Sequence, residues 1–495
     1  MPVASGVQPQ LESIIVSGIK IDSRSVEKGS AFFCIPGEHH DGAEFISQAI
    51  QNGASCIFTE SAKLKLDASV PVVKVDDIRA ALAWVADSFY DHPSTKLRVL
   101  GVTGTNGKTT TTHLVRQILL AAGHATGLIG TLGAHWNSKS GEERSGKSAH
   151  TTPQAPEVQS DFAQMLADGI THVTMEVSSH ALSLKRVAQC QFASACLTNI
   201  TQDHLDFHKS MEQYWRAKLM LFEQLANGNQ TNKSAVINLD DPHAQRFMAV
   251  LNKSVNAFTY GFHADADLSV IKAEYDFSGC KLDLKTPVGP RHLNLHLNGP
   301  FNVYNVMAAL LIAFGEGVDL DLAIHALEEF KGVPGRFEIV CTEPLCIVDY
   351  AHTPDSLENV LKAARTLVPP QGRLLVVFGC GGDRDASKRP QMGEIAERLA
   401  DVIIVTSDNP RSESPDKIIA DILAGLNRLA SANIETDRAQ AIEHAISLAS
   451  QYDVVVVAGK GHENYQILKD RTIAFDDREK VKEALALRKQ RSSAV

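Results

Sequence analysis

Gly104-Thr105-Asn106-Gly107-Lys108-Thr109-Thr110 is a short run in which nearly every residue type suits the phosphates of a nucleotide. Backbone N–H groups of a glycine-rich turn that opens a helix form a cradle for anions. The ammonium of Lys108 reaches terminal phosphates, and the hydroxyl of Thr109 suits Mg2+. The strict phosphate-loop pattern asks for glycine five positions before Gly107, and this chain has Val102 there. The local chemistry survives that mismatch, because Gly104 and Gly107 still flank the turn.

Three further clusters carry chemistry. Glu176 ends an apolar run and reads either as a carboxylate for Mg2+ or as an ordinary buried polar group. Asp203, His204, Asp206 and His208 crowd into six positions. His204 and His208 would share one face of a helix, a spacing that suits a transition metal, while the two aspartates suit a hard cation and a capped polar loop accounts for the same residues. Lys218 lies in MEQYWRAKLMLFEQL, an amphipathic pattern that by itself reads as a helix with a solvated lysine.

The last third of the chain repeats one arrangement four times. CIVDY runs into Ala351-His352-Thr353, and LLVVFG into Cys380-Gly381-Gly382-Asp383-Arg384-Asp385. DVIIVT runs into Ser407-Asp408-Asn409-Pro410-Arg411, and DVVVVAG into Lys460-Gly461-His462-Glu463. Open α/β sheets bind ligands at the carboxyl ends of their strands. Four such ends with charged or glycine-rich continuations predict a binding rim, in which Arg384 and Arg411 suit a carboxylate through paired hydrogen bonds.

The elements that must hold these groups are legible as periodicity. RVLGV, the glycine-rich turn and TTTTHLVRQILLAAG predict strand, loop and helix, with Gly123 as the stop. THVTMEVSS, ASACLTNI and SAVINLDD predict strands, and NGPFNVYNVMAALLIAFGEG a helix with Asn302 and Asn305 one turn apart. DHPST (91–95) and KGVPGRFE (331–338) break the pattern. They divide the chain into 1–95, 96–332 and 333–495, as expected for a length too great for one core. Strands alternating with helices in the last section predict a mostly parallel sheet covered on both faces. The segment 138–150 reads as a polar, mobile loop.

Net charge is −10 with 44% hydrophobic residues, and no basic block stands out. Nucleic acid and anionic membranes therefore gain no support as partners. Eight cysteines without a C-x-x-C pair, several inside apolar runs, point to a reducing compartment. The expectation is a cytoplasmic monomer that handles small molecules, with no membrane span.

The ordered motifs IDSR, GEHHDG, TGTNGKTTT, HTTP, MEVSSHAL, TNITQDHLDFH, RAKLMLF, GPFNVYN, PGRFE, VDYAHTPDSL, FGCGGDRDASKRP, SDNPRSE and AGKGHENYQ closely resemble the Mur ligase family. The variant turn with Val102 is the form that family uses. The resemblance implies an α/β fold of three domains: a small N-terminal α/β domain holding the UDP part of the substrate, a central P-loop domain holding ATP, and a C-terminal Rossmann-like domain holding an amino acid. It implies an ATP-dependent amide ligase of peptidoglycan precursor synthesis, working with Mg2+ through an acyl phosphate.

Matched position by position, the resemblance gives Gly104, Thr105, Asn106, Gly107, Lys108, Thr109, Thr110, Asn305, Arg336 and Asp349 to ATP. Thr109, Glu176, His204 and Lys218 fall to the metal, Lys218 as a carbamylated lysine, and Lys108, Glu176, His204 and Lys218 to catalysis. Ile21, Ser23, Glu38, His39, His40, His150, Thr151, Thr152, Ser178, Leu184 and Arg186 fall to UDP-MurNAc-L-Ala-D-Glu, with Leu184 standing where relatives can carry glutamine. Asp408-Asn409-Pro410-Arg411 is similar to the motif of members that add meso-diaminopimelate; Arg384, Gly459 and Glu463 complete that set, with Glu463 facing the distal ammonium. The rivals are an L-lysine-adding ligase, a folylpolyglutamate synthase-like ligase, and a nucleotide-gated protein without chemistry.

Overall fold

A computed structural model describes residues 14–37, 40–60, 70–146, 150–276, 278–427 and 432–493. Three sheets organise the chain. The first has four parallel strands, Gly18–Lys20, Ser30–Phe33, Cys56–Thr59 and Val72–Lys74, in sequence order. Helix Ile78–Phe89 starts at Asp77, whose carboxylate accepts from the Ala80 amide, and packs its apolar stripe on that sheet. Ala155, at the start of helix Ala155–Ala167, belongs to the same core and ties this unit to the next.

The second sheet has eleven strands. Arg98–Thr103 lies at its centre, between His172–Glu176 and Phe192–Leu197, all parallel. These strands are apolar on both faces because helices cover both. Helix Pro300–Gly315 is buried nearly all round against helix Lys108–Ala121 on one face, whereas Ala155–Ala167 and Met211–Asn227 cover the other. Antiparallel strands extend both edges.

In the third sheet five parallel strands follow the order Leu345–Asp349, Val454–Ala458, Leu374–Phe378, Val402–Val405 and Ala432–Ile434, with Glu338–Thr342 antiparallel at the edge. Separate cores lie on its two faces. The predicted helix over KIIADILAGLNRLA is shorter than its pattern, Pro415–Leu423, and residues 428–431 lie outside the described set.

Two expectations change. The segment 138–150 is not one loop: Glu143–Gly146 pairs antiparallel with Gly133–Asn137 as an edge strand. Its polar composition reflects exposure at the sheet edge, a place where charge is favoured. The break at 91–95 is an ordered turn, since Pro93–Thr95 is a short 3-10 helix and buried Ser94 accepts from the Gln191 amide at 3.0 Å. All eight cysteines are free, and seven of them are buried. Among the described residues no helix is long and apolar enough to cross a membrane.

Candidate active site

The end of strand Arg98–Thr103 explains the variant turn. Val102 is still within the strand and buried, so no glycine is needed there. The turn begins at Gly104, whose φ of +147° and contact with the backbone of Asn199 exclude a side chain. Gly107 caps helix Lys108–Ala121 at φ +85°, against the Asn305 amide. Neighbouring loops hold the turn from outside: the Asn106 amide donates to Asn199 Oδ1 at 3.0 Å, and Thr198 Oγ1 donates to the Asn106 carbonyl at 2.6 Å.

Lys108 folds back over the turn and donates to the carbonyls of Gly104 (2.9 Å) and Thr105 (2.8 Å). Burial lowers its pKa below the ordinary lysine value, although Glu176 and Asp203 oppose the shift. Thr109 Oγ1 donates to Glu176 Oε2 at 3.0 Å and accepts from Arg336 Nη2 at 3.1 Å. Glu176 is itself fixed by the amide and hydroxyl of Thr131. The Glu176 carboxylate thus faces the first residues of helix Lys108–Ala121.

Lys218 is not the solvated lysine its helix pattern reads as. It is about 1% exposed and donates to the Gly104 carbonyl at 2.8 Å, over the Tyr214 ring at 4.4 Å. Among the described residues it makes no ion pair with a carboxylate. Burial, followed by the charge of Lys108, holds its pKa well below the ordinary value, which favours the neutral amine.

The i, i+4 pairing of histidines is not formed as a metal pair. His204 precedes a single helical turn, Leu205–His208, with φ +54°. Its Nε2 faces Asp203 Oδ2 at 3.2 Å, whereas His208 Nε2 meets Ser179 Oγ at 2.9 Å. Burial keeps both imidazoles toward the neutral form. Among the described residues no cluster of three or more His, Cys, Asp or Glu is placed to hold a metal. The donors on the cleft wall are instead hard oxygens, Thr109 Oγ1 and the Glu176 carboxylate. They fit Mg2+, which keeps few protein ligands and takes the rest from phosphate and water.

These groups line one wall of a cleft of about 520 Å3 whose other wall is the C-terminal unit. Asn305 donates to Asn302 Oδ1 at 3.1 Å, as their one-turn spacing predicts. Arg336 stacks on Tyr350 with its guanidinium carbon 4.3 Å from the ring centre. Asp349 accepts from the Phe337 amide at 2.6 Å, and burial pushes its pKa up to about 6 against the pull of Arg336. Asn106 Nδ2 donates across the cleft to Asp355 Oδ2 at 2.6 Å, a link that nothing in the local sequence announces.

Beyond Glu176, Thr152 Oγ1 donates to the Glu176 carbonyl at 2.8 Å and accepts from the Ser178 amide. Arg186 Nη1 donates to the Thr152 carbonyl at 2.9 Å. Burial, then the nearby charge of Arg79, lowers Arg186 to about 10. Thr151 joins through Thr131, and His150 precedes it. Leu184 closes helix Ser179–Ser183 and offers no polar group. Ile21 packs on the core shared with Ala155, and Ser23 donates to Gln48 at 2.7 Å. His40 pairs with Glu44 at 3.7 Å, while Glu38 and His39 lie outside the described residues.

At the ends of the C-terminal strands, Arg411 Nη1 donates to the Gly382 carbonyl at 2.7 Å and exposed Arg384 to the Asp383 carbonyl at 2.9 Å. Burial, then Arg384, lowers the Arg411 pKa, whereas Asp408, Glu463 and Asp383 oppose the shift, and both arginine side chains approach Gly381. Neither forms an ion pair among the described residues. Asp408, Asn409 and Pro410 are buried behind them, and Gly459, at φ +123°, lets the neighbouring strand end approach Asp408. Glu463 Oε2 accepts from Asn409 Nδ2 at 2.9 Å and Lys460 Nζ at 3.1 Å. Lys460, legible in the sequence only as part of a charged strand end, is thus tied directly to Glu463. Tyr350 lines the cleft, and its ring lies 5.2 Å from that of His462, on the loop that carries Lys460 and Glu463.

Residues 15–90 match the model "Mur ligase family, catalytic domain", 102–313 the "Mur ligase middle domain", and 335–461 the "Mur ligase, glutamate ligase domain". A UDP-N-acetylmuramoyl-L-alanyl-D-glutamate–2,6-diaminopimelate ligase from Gloeobacter violaceus is 46% identical over 97% of this chain and 96% of its own. A solved structure of a ligase of the same name superposes with a TM-score of 0.65 at 33% identity, over 96% of this chain and 95% of that one. The MurF ligase of Thermotoga maritima, solved in complex with ADP, shares the fold with a TM-score of 0.65 at 18% identity, over 97% and 99% of the chains. By near-full-length similarity, and by a phosphate turn faced by Glu176 and Lys218, the chain belongs to the Mur ligase family.

Proposed function

We propose that this protein is an ATP-dependent amide ligase that adds meso-diaminopimelate to UDP-MurNAc-L-Ala-D-Glu in peptidoglycan precursor synthesis. Neighbouring Arg384 and Arg411, without a carboxylate partner among the described residues, carry the specificity. Asp408, Glu463 and Asp383 act on Arg411 from beyond ion-pair distance, and the distal carboxylate of diaminopimelate supplies a direct partner. L-lysine has none and would leave Arg411 unpaired, a defect that sites of this kind reject strongly.

The chemistry follows from positioning. The turn Gly104–Thr110 and Lys108 hold the ATP phosphates, with Asn305, Arg336 and Asp349 on the nucleotide. Ile21, Ser23, Glu38, His39, His40, His150, Thr151, Thr152, Ser178, Leu184 and Arg186 frame the UDP-MurNAc-dipeptide and aim its terminal carboxylate at the γ-phosphate. Attack of that carboxylate releases ADP and leaves an acyl phosphate. The amino group of diaminopimelate then attacks the acyl carbon, loses a proton, and expels inorganic phosphate through a tetrahedral intermediate. Such a route needs orientation and charge neutralisation more than a nucleophile.

Mg2+ would be held by the oxygens of Thr109 and Glu176, joined by His204, whose imidazole lines the same cleft, and would neutralise phosphate charge. Lys218 joins that set once its neutral amine has taken up CO2, forming an N–C bond, releasing one proton and gaining carboxylate oxygens. We take the domain limits as 1–95, 96–332 and 333–495, and the enzyme as a cytoplasmic monomer. The deciding experiment is ATP-dependent phosphate release with UDP-MurNAc-L-Ala-D-Glu and either meso-diaminopimelate or L-lysine. Turnover with L-lysine alone would sink the assignment.

A further inference from the structure

Lys460 is fully buried at the end of strand Val454–Ala458, yet its ammonium lies among residues given to the amino-acid ligand. It donates to Asn409 Oδ1 at 3.0 Å and Glu463 Oε2 at 3.1 Å, stands 3.8 Å from Asp408 Oδ1, and lies 5.6 Å from the centre of the Tyr465 ring. Asn409 is a junction: its Oδ1 also accepts from the Ile467 amide at 2.9 Å, and its Nδ2 donates to Glu463 Oε2 at 2.9 Å. Glu463 Oε2 therefore has two donors, while Oε1 has no hydrogen-bond partner among the described residues.

We propose that Lys460 is a positioning residue of the amino-acid subsite, fixing Glu463 through Oε2 so that Oε1 faces the incoming ligand's ammonium. The inference rests on the ligase reading above. A carboxylate with a free χ3 would share its charge between both oxygens and solvent. Pinned by a buried ammonium and an amide, it offers one oxygen in one direction, and less ordering is left for the ligand to impose. Lys460 also offsets the two carboxylates, Asp408 and Glu463, at an end of the sheet where both are partly removed from water.

Steady-state kinetics of the full-length enzyme test this, with Lys460→Met removing the ammonium and Lys460→Gln keeping a donor without the charge. Lys460→Met should raise the KM for meso-diaminopimelate roughly 30-fold or more. The KM values for ATP and UDP-MurNAc-L-Ala-D-Glu should stay within about twofold, because only one subsite changes. Adding Glu463→Gln to Lys460→Met should cause little further loss, since the two act as one unit. An unchanged KM for meso-diaminopimelate, or a parallel rise in all three KM values, overturns the proposal. Should Lys460→Met not fold, Lys460→Gln is read by the same ratios; if neither folds, Lys460 is a structural residue and the proposal fails. Wild-type enzyme without turnover of meso-diaminopimelate would sink the ligase assignment instead, a result read before any variant.

Discussion

Lys108 and Lys218 donate to the same acceptor, the carbonyl oxygen of Gly104, at 2.9 and 2.8 Å, from residues 110 positions apart. Two ammonium groups on one buried oxygen repel each other, so the arrangement favours loss of a proton from one of them. Lys218 is the more deeply buried of the two and has no carboxylate ion pair among the described residues, so burial, then the charge of Lys108, favours its neutral form. The turn thus adds its own lysine's charge to the burial that disfavours an ammonium on a distant helix.

The carbamylation proposed for Lys218 requires its neutral form. Only the neutral amine reacts with CO2, and the burial that lowers the pKa of Lys218 favours that form. Enzyme depleted of CO2 in mildly acidic buffer should lose activity and recover it with bicarbonate, and 13C-labelled bicarbonate should give a carbamate resonance. Lys218→Ala should lack both the resonance and nearly all activity. Full ligase activity in that variant would exclude the modification from the mechanism.

In the proposed function Arg411 sets the choice of amino acid. Its φ is +53°, so Asn is a better-tolerated replacement than Ala. Arg411→Asn should weaken meso-diaminopimelate by about 2–4 kcal/mol, roughly 30- to 1000-fold in kcat/KM. L-lysine turnover should change far less, narrowing the preference between the two substrates. Competition between them in one reaction, read by mass spectrometry of the product, measures the ratio.

The C-terminal unit has a fully buried ion pair, Arg438 with Asp477, at 2.7 Å. Arg438 also donates to the Ala458 carbonyl at 3.0 Å, behind the strand end that carries Gly459 and Lys460. Arg438→Leu leaves Asp477 as an unpaired buried charge and should cost about 3–5 kcal/mol of stability. Pairing it with Asp477→Leu should recover much of that loss. Denaturant melts of the single and double variants separate charge stranding from lost packing.

Asp349 links stability to pH. Burial raises its pKa to about 6 in the folded protein, above its unfolded value near 3.8. The folded state therefore holds the proton more tightly. This contribution is fully present below pH ~4 and is lost as pH rises toward ~6, a change on the order of 2–3 kcal/mol. Asp349→Asn, which keeps an acceptor for the Phe337 amide, should flatten that slope and raise the melting temperature at pH 7. Its KM for ATP should rise, because stability and function are opposed at this position. A slope identical to wild type between pH 4 and 6 would assign the dependence to other groups.

Local order determined what the sequence determined. The apolar run ending at Thr103, Gly104 and Gly107, and the helix from Lys108 are consecutive, so periodicity and glycine chemistry sufficed to read them. The four strand ends of the last section were legible for the same reason, as was the helix carrying Asn302 and Asn305. Tertiary structure alone decided which polar groups turn inward. Lys218 has the spacing of a surface lysine until its helix packs under Gly104, and Lys460 and His208 gain their roles only from partners 3 to 51 positions away. Asn106 and Asp355 meet across 249 residues. Burial and charge pairing depend on distance in space, and a linear pattern records only distance along the chain.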